Sequence, residues 1–303
     1  MAKYIFKRVL LAIVTIFIVC MITFFTMNAI PGGPFAGEKA KSPEVQAALE
    51  KRFNLDKPVG QQFVIYMGNM LRGDFGISAK TGREISQTIS SKFAVSAKLG
   101  IFAVLTAVVV GVVLGSIAAL MRNRVPDRVI IFLSTLFTSL PSFVLGSFLL
   151  VIFSVKLGWV KAWSPTEHNL VLPVLALAAY PASYITRLTK TSMLDVLGQD
   201  YVRTARAKGV ASWKVLFVHT LRNALIPVVT YLGPMIASVL TGSLVVEQIF
   251  TIGGLGAEFV QSITNRDYPM IMGVTIFLAV FMVTMNLLTD IVYKLIDPRI
   301  TLD

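Results

Sequence analysis

Cysteine and histidine are almost missing from this chain. Cys20 is the only cysteine, and His168 and His219 are the only histidines, among 303 residues. An intrachain disulfide and a thiolate metal cluster are excluded, and a zinc site or histidine-based triad has too few side chains to build it. Charged residues are also sparse, at 15%. Nowhere does Gly, four residues, then Gly-Lys-Ser/Thr occur, so the chain has no phosphate-cradling loop of the Walker type. Asp74-Phe75-Gly76 imitates a kinase signature without that motif's partners and reads as a turn.

What the chain has is apolar length. It is 55% hydrophobic with a mean hydropathy of +0.74, too apolar for an ordinary water-soluble domain. Residues 9–30, 99–121, 129–155, 170–186, 224–246 and 269–289 are free of charge. A bilayer core of ~30 Å needs about 20 apolar residues, which five of these stretches supply comfortably. The fourth is shorter and holds Pro173 and Pro181, so a tilted or kinked span is expected there. The first stretch is longer than a signal-peptide core of ~7–15 residues, and Asn28-Ala29-Ile30 is a poor cleavage site, so it is read as a retained helix. The expected fold class is an all-α integral membrane protein: six transmembrane helices and a small helical extracytoplasmic segment after the first.

A net charge of +12 would suggest nucleic acid if it lay on one surface, but the cations fall in blocks between the apolar runs. With the N-terminus inside, Lys3, Lys7 and Arg8, then Arg122, Arg124 and Arg128, a cluster from Arg187 to Arg222, and finally Lys294 and Arg299 are all cytoplasmic. Both termini are then inside. Residues 31–98 are also rich in Lys and Arg, yet they form an outer segment too long to obey the charge rule.

That outer segment carries its own helix signals. Ser42 is placed to cap a helix beginning at Pro43, and Val59, Phe63, Tyr66, Met67 and Met70 line one face of a second that stops before Gly73. It has too few apolar residues for a core of its own and is expected to rest on the membrane helices. The chain divides into residues 1–30 (N-terminus and first span), 31–98 (outer segment) and 99–303 (five-helix core with a cytoplasmic loop at 187–223).

The loop is too patterned for a connector. Asp200 is positioned to cap a short helix, Ala205 and Ala207 allow close approach of another surface, and Gly209 permits a sharp turn. Ser212 then caps a second helix with Trp213, Val215, Leu216 and Val218. A solvated basic loop that merely keeps charge inside would need neither the small-residue face nor the glycine hinge, so a docking lever is favoured.

Polar residues in the spans are fewer. Glu247 and Asp290 end the fifth and sixth, with Asp290 one turn from Lys294. Ser238, Thr241 and Ser243, with Asn286 behind them, are the polar residues available to line a route along the fifth span, though such residues also pack helices. Pro141, Pro227 and Pro234 either bend their spans or free a carbonyl. Gly253-Gly254-Leu255-Gly256 is a ligand-contacting scoop or a flexible turn.

The run Thr204 to Gly209, followed by His219 to Pro227, resembles the cytoplasmic loop of permease subunits of ABC importers in the dipeptide, oligopeptide and nickel branch. Arg203-Thr204-Ala205 stands where that family's loop has Glu-Ala-Ala, and Gly209 stands for its glycine. Further strings fit the same family in order: Ile30 to Glu38, which resembles the oligopeptide B-type subunits, Gly73 to Gly76, Val95 to Gly100, Thr241 to Glu247, Asn265 to Tyr268, and Ile296 to Ile300.

The resemblance implies a permease of the bacterial inner membrane that is not an enzyme, has no catalytic or metal-binding residue and binds no cofactor, with ATP and Mg held by partner subunits. It implies a heterodimer with a second homologous permease, two cytoplasmic ATPases and an extracytoplasmic peptide-binding protein. Asp200, Tyr201, Thr204, Ala205, Ala207, Lys208 and Gly209 would make the ATPase contact, and Ser238, Thr241, Ser243, Glu247 and Asn286 the substrate path. The string at 30–38 favours oligopeptides, while dipeptide, nickel and glutathione permeases share the fold. Outside this family, an ion-coupled carrier would want acids at mid-span, where this chain has none, and a membrane scaffold would use the same loop to recruit partners.

Overall fold

The computed structural model describes residues 2–30, 43–164 and 166–296. The described residues are helices and turns, with a single antiparallel bridge between Ile77 and Glu84. Helix α1 spans Ala2–Ala29, α2 Pro43–Arg52, α3 Val59–Leu71 and α4 Ile85–Leu120. Then come α5 (Val125–Ser139), α6 (Ser142–Leu149), which widens into a π-type turn over Leu150–Lys156, and α7 (Val171–Leu197). The rest are α8 (Asp200–Ala207), α9 (Ser212–Lys214), a second π-type turn over Val215–Leu221, α10 (Arg222–Ala224), α11 (Ile226–Gly242), α12 (Leu244–Ile249), α13 (Leu255–Thr264) and α14 (Tyr268–Ile296).

Among the described residues five helical stretches are long and apolar enough to cross a membrane: Phe6–Ala29, Ile85–Leu120, Val171–Leu197, Ile226–Ile249, which runs through α11 and α12, and Tyr268–Thr289. The expected third span is different. It breaks at Leu140-Pro141 into α5 and α6, whose axes meet at 105°. Proline drives the residue before it out of the helical region, and Leu140 is extended (φ −86°, ψ 124°). Pro227, by contrast, sits in the first turn of α11, where its missing N–H costs no helix bond.

The fourth span is longer than its charge-free run. Helix α7 continues past Thr186 because its cations find partners on α5: Arg187 donates to Thr138 Oγ1 (3.1 Å), and Lys190 pairs with the buried Asp127 at 2.5 Å. The boundary drawn at residue 98 falls inside an unbroken helix, since α4 starts at Ile85 and runs for 36 residues. At 1.5 Å per residue α4 is about 54 Å long, well beyond a bilayer core.

The chain forms two compact units, Met1–Ala94 with Gly253–Val283, and Val95–Ile252 with Thr284–Asp303. In the first, α3 lies along α1: the Phe63 ring meets Phe17, Phe24 and Phe25 at centroid distances of 6.0, 5.3 and 5.5 Å. The outer segment thus rests on a membrane helix, as its poverty in apolar residues demands. Asp267 immediately precedes α14, accepting from Ser78 Oγ and from the backbone N–H of Ala79 (3.0 Å). Helix α3 ends before Gly73, whose φ of +79° suits only glycine cheaply. The Ser42 cap lies outside the described residues.

The second unit has its core between α4, α7 and α11, around Leu99, Ala103, Ile185, Val228 and Val239. Gly111 and Gly115, one turn apart on α4, let α7 approach closely. A methyl group at Gly111 would stand 2.6 Å from Ile185 Cβ, and one at Gly115 2.5 Å from the Thr186 carbonyl oxygen. Small residues at this spacing are how membrane helices pack where burial alone offers little driving force.

Candidate functional site

Helices α8 and α9, with the π-type turn that follows, form an elbow in the second unit. Val202 and Ala205 on α8 meet Val215, all three buried, with Val196, Leu197 and Val210 packed against them. Helix α8 ends in a Schellman turn: the Gly209 N–H donates to the Arg206 carbonyl (3.0 Å) and the Val210 N–H to the Ala205 carbonyl (3.2 Å). Such a turn needs a left-handed residue, and Gly209 supplies it with φ +73°. The two arms are therefore set at a fixed angle by a small apolar core and a glycine.

The capping residues fall one position from where the pattern put them. Gln199 and Ala211 are the extended residues that precede α8 and α9, while Asp200 and Ser212 lie in the first turns. A carboxylate there still complements the helix N-terminus, and Asp200 also reaches Arg203 at 3.8 Å.

Of the residues expected to face a partner, Asp200, Tyr201, Thr204, Ala207, Lys208 and Gly209 are exposed. Ala205 is not: at 8% exposure it belongs to the elbow's own core, because two arms folded together bury the inner side of α8. The exposed face also presents Trp213 (65% exposed) and Phe217 (57%), four residues apart. Phe217 escaped the sequence reading, although its spacing from Trp213 was a usable sign. Beside them lies a concavity of about 600 Å³ lined by Tyr201, Val218, His219, Arg222, Asn223 and Ile226, in which Asn223 Nδ2 donates to the Tyr201 hydroxyl (2.9 Å). Arg203, Arg206 and Lys208 are exposed as well, so the elbow's outer side carries both basic and apolar side chains.

The five residues expected along a substrate path separate into two groups. Ser238 and Asn286 are exposed, and Thr241 is half-buried with its hydroxyl donating to the Ala237 carbonyl (2.7 Å). Ser243 and Glu247 are interior. Glu247 is 0% exposed and accepts from Ser96 Oγ (2.7 Å) and Ser243 Oγ (2.5 Å), tying α4 to the start of α12. Side chains from Asp290 onward lie outside the described residues. Among the described residues no group of His, Cys, Asp and Glu is arranged to hold a metal ion.

This architecture defines a class: a multi-pass helical membrane protein with an elbow of short helices between its fourth and fifth long apolar helices. Residues 111–302 match the family described as "Binding-protein-dependent transport system inner membrane component", and residues 1–100 match its N-terminal counterpart. The chain belongs to this family, and so is a transport component of the inner membrane rather than an enzyme.

Its relatives agree over full length. It is 44% identical to the dipeptide transport system permease protein DppB of Bacillus subtilis, over 100% of this chain and 99% of that one. It is 40% identical to the oligopeptide transport system permease protein OppB of Haemophilus influenzae, over 99% of each. Among solved structures, the MetNI methionine ABC transporter in an inward-facing form superposes with a TM-score of 0.56 at 15% identity, over 70% of this chain and 97% of that one. An amino acid ABC transporter solved with histidines gives 0.52 at 19%, over 69% and 94%. At such identities these two speak for the fold.

Proposed function

We propose that the chain is the permease subunit of an ATP-driven importer of peptides, with both termini cytoplasmic and the elbow as the surface that couples it to ATPase partners. The observation that carries this reading is the full-length similarity, at 40% identity and above, to permeases named for peptide transport. The exposed face of α8 supports the coupling role, since its inner face is already satisfied within the chain. The importer comprises this chain, a second homologous permease in a heterodimer, two cytoplasmic ATPases that hold ATP and Mg, and an extracytoplasmic peptide-binding protein. ATP-bound partners favour one conformation of the permease pair, and that difference in affinity drives the change of access. Ser238, Thr241 and Asn286 remain candidates for the path, whereas Ser243 and Glu247 brace the helix that carries it. The chain divides functionally into residues 1–30, 31–98 and 99–303, with the coupling loop at 187–223.

Oligopeptides are the substrate length that the string at residues 30–38 supports; dipeptides are the second reading, favoured by the relative at 44% identity. Uptake of labelled dipeptide and pentapeptide into vesicles holding the complete importer separates them. Ala207→Glu tests the coupling: it should abolish ATP-driven uptake while leaving membrane insertion and assembly of the permease pair intact. Uptake at the wild-type rate would remove the elbow from the account. Ala205→Glu is the poorer test, because a charge there disrupts the elbow's own core.

A further inference from the structure

Helix α7 carries two tyrosines that the transport account has not yet used. Tyr180 and Tyr184 stand one turn apart and are both exposed, while Leu177, Ala178, Ala182 and Ile185 around them are buried in the second unit's core. The Tyr231 ring of α11 lies 4.4 Å from that of Tyr184, centroid to centroid, and both α7 phenols are within electrostatic reach of the Tyr231 phenol. From Tyr231 a stripe continues along α11. Pro234 and Ser238, three and seven residues on, share its side of the helix and are exposed. Pro234 has no N–H, so the Thr230 carbonyl loses its usual helix donor beside the stripe.

Depth is what singles these phenols out. Helix α7 begins at Val171, and at 1.5 Å per residue Tyr180 lies about 14 Å and Tyr184 about 20 Å along it. In a bilayer core of ~30 Å neither is at a surface. A tyrosine facing lipid belongs at the interface, where its hydroxyl meets water. Helical Cα–Cβ bonds lean toward the N-terminus, which turns Tyr184 away from the surface nearer to it. Neither α7 hydroxyl has a hydrogen-bond partner among the described residues, and hydrocarbon would supply none. A face made for a partner helix would be built of small residues, as between α4 and α7, rather than of rings. We propose that Tyr180, Tyr184 and Tyr231 line the translocation route and contact the main chain of the passing peptide. A phenol both donates and accepts, so it serves the carbonyls and N–H groups that every peptide shares, and its ring face attracts an ammonium terminus. Such contacts are indifferent to side-chain sequence. The choice of a peptide as the solute rests on the transport reading above, whereas a wet face in mid-membrane does not.

The test uses the complete importer, with Cys20→Ser in this chain. In lipid nanodiscs, Tyr180→Cys and Tyr184→Cys, made singly, are treated with a charged methanethiosulfonate, which reacts with thiols that meet water. Leu105→Cys, exposed on α4, is the lipid-facing control. Reaction is scored on this chain by mass spectrometry, with and without ATP. Both tyrosine positions should react in at least one nucleotide state, about tenfold or more faster than position 105. In vesicles, ATP-driven uptake of radiolabelled di- or trialanine should fall about three- to tenfold in the double variant Tyr180→Phe with Tyr184→Phe, which keeps the rings and loses two hydroxyls. These peptides have no polar side chain, so the loss reports on their main chain. Three results would overturn the proposal: thiols as unreactive as position 105 in both states, which marks a face covered by lipid; loss of the partner permease when the double variant is purified, which marks a subunit interface; or wild-type uptake by the double variant. Reactive thiols in a wild-type importer that takes up no peptide would remove the transport reading and leave the wet face standing.

Discussion

Glu247 is wholly buried in the second unit, where it joins α4 to the turn before α12. A carboxyl group with no exposure needs hydrogen bonds in place of water, and Ser96 and Ser243 donate two of them from α4 and from the turn before α12. Glu247→Ala removes the acceptor of both hydroxyl bonds and should cost about 3 kcal/mol, while Glu247→Gln retains an acceptor and should cost about half that. Thermal unfolding of the purified protein in detergent measures the difference. Gly115 is the second sensitive position, because an added methyl meets the Thr186 carbonyl at 2.5 Å and the Thr189 Cβ at 2.6 Å. Gly115→Ala should destabilise by about 1–3 kcal/mol as α4 and α7 are wedged apart. Neither role could be read from the string of residues alone. Glu247 was legible as an acid at the end of a span, but its partner Ser96 stands 151 residues away.

Elements were legible where a local rule decides them. The stops at Gly73 and Gly209 follow from left-handed φ values that any sequence reader expects of glycine after a helix, and both are observed. The elbow's two arms were legible from their small residues and breaks; its core was not, since Val202, Ala205 and Val215 meet only once the arms have folded together. Pro141 marked a disturbance in the third span without revealing its size. At this scale the hinge is the testable part. Gly209→Ala forces a side chain into a left-handed conformation and should cost about 1 kcal/mol, with a β-branched replacement costing more. Hydrogen exchange at Arg206 to Val210 should quicken as the Schellman turn opens, and ATP-driven uptake should fall in step.

For the whole molecule, the abundance of apolar length made a membrane protein legible at once, and the string matches along the chain made the family legible. The two-unit organisation was hidden, because residues 253–283 join a unit built mostly from the first 94 residues. The break between α5 and α6 bears on topology as much as on shape. Two rods meeting at 105° could dip into the bilayer and return on the same side, which would leave an odd number of crossings and put the elbow outside. The pairing of Asp127 with Lys190 argues against that. Lys190 lies 19 residues beyond Val171, the start of α7, or about 28 Å along the helix, close to the thickness of a bilayer core. If α7 stands across the membrane, Asp127 shares a leaflet with Lys190, and the chain between Asp127 and Val171 has to traverse to the other one. A single cysteine at position 207, in the Cys20→Ser background, should react with a membrane-impermeant maleimide only after the vesicles are opened from the cytoplasmic side. On the proposed topology that one buried ion pair keeps the tally of crossings even, so the thread would finish on the shore from which it set out.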